Sequence, residues 1–228
     1  PAVADAAAAV IGQLPSERSR QPLIKIVEKG KPSEQLGPIL RAASKGKWLE
    51  FLPLLRPHLE HKEAGVRLWA VRAVGNMRDG DSLPQVITLA SEDDNPFVRV
   101  AAIESLVQLR AGHTEECLPP LLIALTDDHT SVQVAGVLAL RLIRHRDAIA
   151  PLVDLWQTGE GLVLQHIYPT LMEITDMQYG ADAEQWERWW SRVSADFVIP
   201  SDEKMAERRE ERAKTAALYV PKETSASF

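Results

Sequence analysis

Apolar residues recur along most of the chain at the spacing of one helix face. In the segments that begin at Val66, Val98 and Val132, they recur at spacings of three, four and seven residues, as in an amphipathic α-helix rather than a strand. The first two segments share the pattern V-R-x-x-A, and the third replaces its Arg and Ala with Gln133 and Gly136. A weaker copy begins near Val163. Since no stretch has the pattern of a β-strand of useful length, we predict an all-α protein.

A second set of apolar segments lies between these helices and repeats in phase with them. Each of these segments carries a proline, at Pro53, Pro84, Pro119 and Pro151. Because proline is tolerated only in the first turn of a helix or at a kink, its recurrence marks the same position in each unit. We therefore predict that proline-containing A helices alternate with V-R-x-x-A B helices, with one pair about every 32 residues.

Polar turns precede the B helices. Residues 92–96 and 127–131 place Asp, Asn, Ser or Thr just before a helix, where such side chains accept hydrogen bonds from free N–H groups of the first turn. The acidic pairs Asp93-Asp94 and Asp127-Asp128 could instead form a cation site or act as general acids. Capping accounts better for their position.

The predicted helix pairs must stack, because one pair of short amphipathic helices cannot bury its apolar face alone. Residues 31–193 have room for about five pairs at this period. We predict an α-solenoid of about five stacked antiparallel helix pairs with a C-terminal extension. Residues 1–30 would form an N-terminal helical cap, and residues 194–228 a charged C-terminal arm and tail.

The repeats resemble the short HEAT repeats of bacterial proteins, which are also found in phycobilin lyases. The resemblance covers about residues 47–175 and is most specific at residues 66–73 and 94–106. In that family, turn Asp and B-helix Arg residues of successive repeats tend to form a ladder. The resemblance thus implies a structural ladder of Arg67, Asp94, Arg99 and Asp128. Departures at Lys62-Glu63, Gln133 and residues 163–171 make the expected ladder incomplete.

Residues 171–190 resemble the closing segment of many bacterial HEAT proteins, in which a loop with Gly and Asp precedes a W-x-x-W-W helix. Here Trp186, Trp189 and Trp190 share one helix face. One interpretation is that they cover the open end of the last repeat. The other is an aromatic contact site for a partner, where Trp is enriched. Both hold if the face is partly buried.

The region after Val193 changes in character. A helix capped by Ser201 would be charged almost all round, and such a helix does not hold itself onto a core. It is then either a solvated arm or a segment ordered by something outside the repeats. We predict a partner contact at this end of the chain, and its candidate residues are Trp186, Trp189, Trp190, Arg208, Arg209, Leu218 and Tyr219.

Composition narrows the class of partner. The net charge of −6 over 228 residues disfavours nucleic acid, which a basic face would bind. The longest apolar stretches are too short for a membrane span. Cys117 is the single cysteine, which fits a reducing compartment. We therefore favour the cytoplasm, while Ala2-Val3-Ala4 resembles the end of an export signal and keeps export as the alternative.

Candidate chemistry is sparse. His58 and His61 form a local cluster without an identifiable third metal ligand. His113 and Cys117 lack a recognisable orienting group, and no phosphate-binding or nucleophile motif is present. We expect no catalytic, cofactor or metal site and no small-molecule substrate.

The predicted function is a non-catalytic scaffold or adaptor, an accessory subunit that binds one or more proteins of a larger assembly. Resemblance to the lyases implies the alternative, a lyase or chaperone subunit acting on a cofactor-bearing protein.

Overall fold

The computed structural model describes Val10, Gln13, residues 17–29 and residues 33–218, with the backbone alone at residues 17, 19, 33–35 and 215–218. Half of the predicted N-terminal cap, including Ala2-Val3-Ala4, lies outside the described residues. So do the candidate contact residue Tyr219 and the side chain of Leu218.

Within the described ranges the chain folds into α-helices and short 3-10 segments, without strands, and the all-α prediction is confirmed. The helices of the first three pairs are α1 (Glu17–Glu28), α2 (Ser33–Gly46), α3 (Leu52–Leu55), α4 (Ala64–Asn76), α5 (Leu83–Glu92) and α6 (Pro96–Leu109). The remaining helices are α7 (Thr114–Ala124), α8 (Thr130–Ile143), α9 (Ile149–Thr158), α10 (Leu164–Thr175), α11 (Ala183–Val193) and α12 (Asp202–Leu218).

The helices stack in pairs. The B helices α2, α4, α6, α8 and α10 pack each on the next and form one continuous layer. Each A helix packs on the B helix that follows it, and α5 contacts α7 while α9 contacts α11 on the other side. This arrangement is the α-solenoid of about five helix pairs that the periodicity predicts. Helix α1, placed by the sequence in a separate cap, forms the first pair with α2.

The recurring prolines hold one place in three of the four A helices. Pro53, Pro84 and Pro151 lie in the first turn of their α-helices, each preceded by a 3-10 segment. Pro119 differs, because residues 114–118 are α-helical and place it inside α7. Proline has no backbone N–H, so inside a helix it removes one hydrogen bond. The A helices therefore do not all begin at the same distance from their recurring proline.

Small residues bring the B helices close together. A Cβ atom on Gly75 of α4 would lie 2.9 Å from the Ser105 Cα of α6. Ser105 Oγ is 3.0 Å from the Val71 carbonyl oxygen and 2.8 Å from that of Ala101, and is buried between the two helices. This close approach aligns the B helices into a continuous surface.

In the described part of the chain, none of the helices has the length and apolar character needed to cross a membrane.

Candidate functional site

The turns before the B helices are joined by arginine–aspartate contacts. Arg67 donates from Nε and Nη2 to the two carboxylate oxygens of Asp93, both at 2.7 Å, and from Nη2 to Asp94 at 2.5 Å. Arg99 contacts Asp127 in the same bidentate way, with both distances 2.7 Å. Each arginine also donates to a carbonyl oxygen in the turn before its own helix, His61 for Arg67 and Asp93 for Arg99. Each arginine therefore joins the turn before its own helix to the turn before the next B helix.

The ladder differs in detail from the one implied by the resemblance. The structure places Asp127, rather than Asp128, against Arg99. The physical reason lies in the turn, where Asp127 Oδ1 accepts a hydrogen bond of 2.8 Å from His129 N, while Asp128 points to solvent. In the equivalent turn Asp93 is the bidentate partner and Asp94 adds a single contact.

The ladder ends where the sequence departs from the pattern. Gln133 stands where the two preceding B helices have arginine, and its Nε2 donates to the Asp127 carbonyl oxygen at 2.9 Å. A neutral amide keeps this contact to its own turn but cannot form an ion pair with the next one. The prediction of an incomplete ladder agrees with this geometry.

The charges in these turns stabilise the fold. Burial alone would raise the pKa of Asp93 and of Asp127, but hydrogen bonds from Arg67 and Arg99 outweigh it and hold both pKa values below the ordinary range. The same contacts raise the pKa of each arginine. The carboxylates therefore stay ionised and engaged, which supports a structural role for the acidic pairs over acid–base chemistry.

A further ion pair was missed by the sequence reasoning. Arg56 Nε and Nη2 donate to the carboxylate of Asp79 at 2.9 and 2.6 Å, and Nη2 also reaches Asp81 at 2.8 Å. Asp79 is buried and accepts a hydrogen bond of 2.6 Å from Ser82. Neither partner recurs at the repeat spacing, so periodicity gives no signal for this contact.

The closing tryptophans form an aromatic cluster. Trp186 is fully buried and Trp189 is 8% exposed, and their ring centroids are 5.5 Å apart. Tyr179 and Phe197 complete the cluster, at 5.4 Å from Trp186 and 5.3 Å from Trp189 respectively. Helix α11 packs on α9, so the cluster closes the end of the stack. Trp186 and Trp189 are therefore corrected from contact residues to core residues, because their side chains are not accessible. Trp190 remains half-exposed.

Helix α12 contacts the repeats, contrary to the expectation for a helix charged almost all round. Arg208 and Arg212 pair with Asp176 at 3.3 and 2.6 Å, and Arg209 pairs with Glu173 at 3.1 Å. Met205 is its buried apolar anchor. The candidate contact residues Arg208 and Arg209 thus bind the chain's own carboxylates at the end of α10. Ion pairs hold α12 on the repeats, because its sequence has no apolar stripe that could do so.

Arg144 holds the segment before α12. It donates to the carbonyl oxygens of Glu173 and Pro200 at 3.1 and 2.8 Å and pairs with Asp202 at the start of the helix. These contacts join Arg144 to residues 29 and 56 positions later in the chain, so the helical pattern gives no signal for them. Its left-handed backbone, with φ of 55°, turns the chain out of α8 at this point.

An open groove crosses the solvent-exposed face of the B helices. Its middle part lies between α6 and α8 and is lined mainly by Val100, Val107, Val134, Leu138 and Leu142. Glu104 and Gln108 are shared with a polar depression beside Arg72. Leu142 is shared with a cavity of about 670 Å³ next to α12, which also contains Arg141, Met172 and Arg209. These shared residues make one continuous surface, which we call the B-helix groove.

The sequence of α8 carries a signal for the groove. Val134, Leu138 and Leu142 follow each other at intervals of four residues and make a second apolar stripe on α8. The core stripe of the same helix includes Val132, Val137 and Leu140. A helix with two apolar stripes presents one of them away from its own core.

The other candidate chemistry stays dispersed. In the described residues, no three His, Cys, Asp or Glu side chains are grouped as metal ligands would be. His58 is nearly buried, with its ring centroid 5.9 Å from that of His61. Burial raises the pKa of the Cys117 thiol to about 11, so the thiol remains protonated at neutral pH. His113 is hydrogen-bonded at 2.9 Å to Glu116 rather than to this thiol.

Comparisons with known proteins agree with the repeat architecture. Residues 52–128 match a family model described as HEAT repeats. Among curated proteins, the chain is similar to the bilin biosynthesis protein RpcF of Synechococcus sp. (strain WH8020), with 33% identity over 97 residues. The match spans 40% of this chain and 46% of the relative, so the chain spans about half the length of that curated protein.

Proposed function

The chain is a HEAT-repeat protein, and from this premise we propose that it is a non-catalytic scaffold that binds one or more proteins of a larger assembly. The observation that carries the proposal is the B-helix groove, an open surface with apolar side chains exposed along a continuous helix layer. Stacked repeats form extended surfaces of this kind, and contiguous exposed apolar residues commonly mark interaction sites.

The C-terminal end supplies a second part of the proposed interface. Helix α12 is held along one side by Met205 and by ion pairs to Asp176 and Glu173, and its other side faces solvent. Trp190 is half-exposed beside it. We propose that α12 acts as a docking arm, fixed on the repeats by one face and contacting a partner with the other.

Cross-linking of the native protein tests the scaffold proposal. The full chain is cross-linked mildly through its lysines, purified by affinity, and its attached peptides are identified by mass spectrometry. We expect a stoichiometric protein partner, with cross-links at Lys204 or Lys214, both exposed on α12. A protein that remains monomeric and free of cross-linked partners would contradict the scaffold proposal.

Two variants separate the arm from the fold. Removal of the chain after Pro200 keeps Phe197 in the aromatic cluster. It should weaken the assembly and leave the helix content of residues 33–193 largely unchanged. The charge reversal Lys214→Glu should also weaken it, because Lys214 is exposed on the side of α12 opposite the buried Met205. Arg188→Glu, an exposed position on α11, is the matched control. Retained assembly in both arm variants would rule out docking through α12, while other surfaces of the scaffold could still bind.

A second candidate function follows from the similarity to the bilin biosynthesis protein. In this proposal the chain is a lyase or chaperone subunit that acts on a protein bearing a bilin. Co-expression with a bilin and an acceptor protein tests it, since a covalent adduct is coloured and is seen by fluorescence in a denaturing gel. Colour in the acceptor only when the chain is present supports this function, and an unlabelled acceptor contradicts it.

A further inference from the structure

The middle of the B-helix groove exposes apolar surface without a covering element among the described residues. Leu142 is 55% exposed at the end of the second apolar stripe of α8, and Val134 and Leu138 are half-exposed before it. Val100 and Val107 of α6 form the opposite wall. Covering such surface with another apolar group is favourable, because it removes apolar area from water. The groove therefore suits an occupant with apolar side chains.

The charged residues around the groove indicate the charge of the occupant. The acidic side chains are already paired, Glu104 with Arg72 at 3.2 Å and Glu173 with Arg209 at 3.1 Å. Asp176 is likewise paired with two arginines of α12. Asp202, which also lines the cavity, pairs with Arg144. Among the described residues that line the groove, each carboxylate therefore already has an arginine partner.

Arg141 is the exception in this pattern. It is half-buried beside Leu142 and lines the cavity next to α12, yet it has no ion pair with any side chain in the described part of the chain. Its place in the last turn of α8 lets it interact with the helix dipole, but this interaction still leaves its guanidinium available to a carboxylate. A partly desolvated guanidinium gains more from a carboxylate than a fully solvated one does.

We propose that the B-helix groove binds a segment of a partner protein whose apolar side chains pack between α6 and α8 and whose carboxylate pairs with Arg141. This inference rests on the scaffold function proposed above and specifies the chemistry of its partner. The segment is an acidic amphipathic one, with its acidic residue next to the apolar residues that cover Leu142.

A displayed library of random amphipathic peptides provides the probe. The full chain selects peptides from the library, and the enriched peptides are synthesised and measured by fluorescence anisotropy. We expect enriched sequences with Asp or Glu beside apolar residues. Arg141→Gln should weaken their binding about five-fold, the value of one partly exposed ion pair, and Arg141→Glu should weaken it further. Leu142→Lys should weaken it more than about ten-fold, because it places a charge in the apolar contact.

Matched controls exclude general effects of charge and exposure. Arg192→Gln removes an exposed arginine on α11, and Leu162→Lys changes a leucine that is 54% exposed before α10, outside the groove. Neither should alter peptide affinity. Equal loss in the controls and in the groove variants would overturn the proposal, and so would enrichment of basic peptides or of none.

Other occupants would give different results. Self-association of the chain that Leu142→Lys abolishes would show a second copy in the groove and overturn the partner segment. Binding of biliverdin that Arg141→Gln weakens, without enriched peptides, would overturn it in favour of a tetrapyrrole. If the groove variants leave the cross-linked native assembly intact, the groove proposal fails and the scaffold proposal stands. Absence of any assembly would instead count against the scaffold.

Discussion

Arg67 of helix α4 donates two hydrogen bonds of 2.7 Å to the carboxylate of Asp93, which lies in the turn before α6. The side chains of Arg67 and Asp93 are 12% and 2% exposed, so water competes little for the contact. In a stack of repeats, stability depends on the interfaces between neighbours. This ion pair acts on that interface, since it joins one B helix to the turn of the next pair.

Loss of Arg67 is expected to destabilise the fold. Arg67→Gln should lower the free energy of unfolding by about 2–3 kcal/mol, because the carboxylate of Asp93 stays buried without its bidentate partner. Arg72→Gln is the control on the same helix, since Arg72 and Glu104 are a solvent-exposed pair, and should lose less than about 1 kcal/mol. Urea unfolding followed by circular dichroism measures both. Similar losses in the two variants would contradict a special role for Arg67.

The adjacent aspartates Asp127 and Asp128 should differ sharply in their contribution to stability. Asp127→Asn removes the charge that Arg99 contacts at two oxygens and should lower the free energy of unfolding by about 2 kcal/mol. Asp128→Asn changes an exposed side chain and should stay within about 0.5 kcal/mol of the parent protein. Thermal unfolding of the two variants side by side is the measurement. A larger loss for Asp128→Asn would restore the ladder implied by the family resemblance.

The repeat is the part of the structure that sequence predicts best. The apolar period, the recurring prolines and the polar turns all predict the same helix pairs. They recur because every pair must bury its apolar face against its neighbours. The choice between Asp127 and Asp128 is beyond such reasoning, since two neighbouring carboxylates have the same chemistry. Only the turn geometry, in which Asp127 accepts from His129 N, separates them.

The C-terminal end was harder to predict because it is not repeated. The shared face of the three tryptophans was evident, but their burial depends on Tyr179 and Phe197, which come from irregular segments. Helix α12 lacks an apolar stripe, so its position rests on ion pairs with Asp176 and Glu173. Periodicity carries no information about such pairs. The B-helix groove likewise emerges only when α6 and α8 are side by side.

The tryptophan cluster yields a test of its structural role. Trp186→Ala should lower the free energy of unfolding by about 3–5 kcal/mol, because it leaves a large cavity in the closing core and removes the 3.0 Å hydrogen bond from Nε1 to the Gly180 carbonyl oxygen. Trp190→Ala should lose about 1 kcal/mol, since its ring is half-exposed. Urea unfolding curves compare the two. A small loss for Trp186→Ala would return that residue to the candidate contact surface.

Alanine substitutions at two glycines of α4 should have opposite effects on the stability of the protein. Gly75→Ala places a Cβ 2.9 Å from the Ser105 backbone, so α4 and α6 must separate, at a loss of about 2–3 kcal/mol of unfolding free energy. At Gly65 the added methyl group meets nothing within 4 Å, and the higher helix propensity of alanine should stabilise the protein by up to about 1 kcal/mol. Differential scanning calorimetry shows whether each variant is more or less stable than the parent protein. A neutral Gly75→Ala would argue against the close helix approach.

His58 should make the stability of the protein depend on pH near neutrality. Burial lowers its pKa below the ordinary 6.5, the nearby His61 lowers it further, and a backbone contact with Val27 partly opposes them. The fold therefore favours neutral His58, whereas the unfolded chain is protonated below pH 6.5. The stabilising contribution is complete above pH 6.5 and is lost as the pH falls from there through the folded-state pKa.

This dependence is measured by the urea midpoint between about pH 7.5 and about pH 5. The midpoint of the parent protein should fall over this interval, and His58→Gln should flatten the decrease because it removes the buried titrating group. His113→Gln, at a more exposed position on the chain, should leave the decrease in place. An unchanged slope in His58→Gln would assign the pH dependence to another group. Comparison at one fixed ionic strength keeps the screening of the surface ion pairs the same at both ends of the pH range.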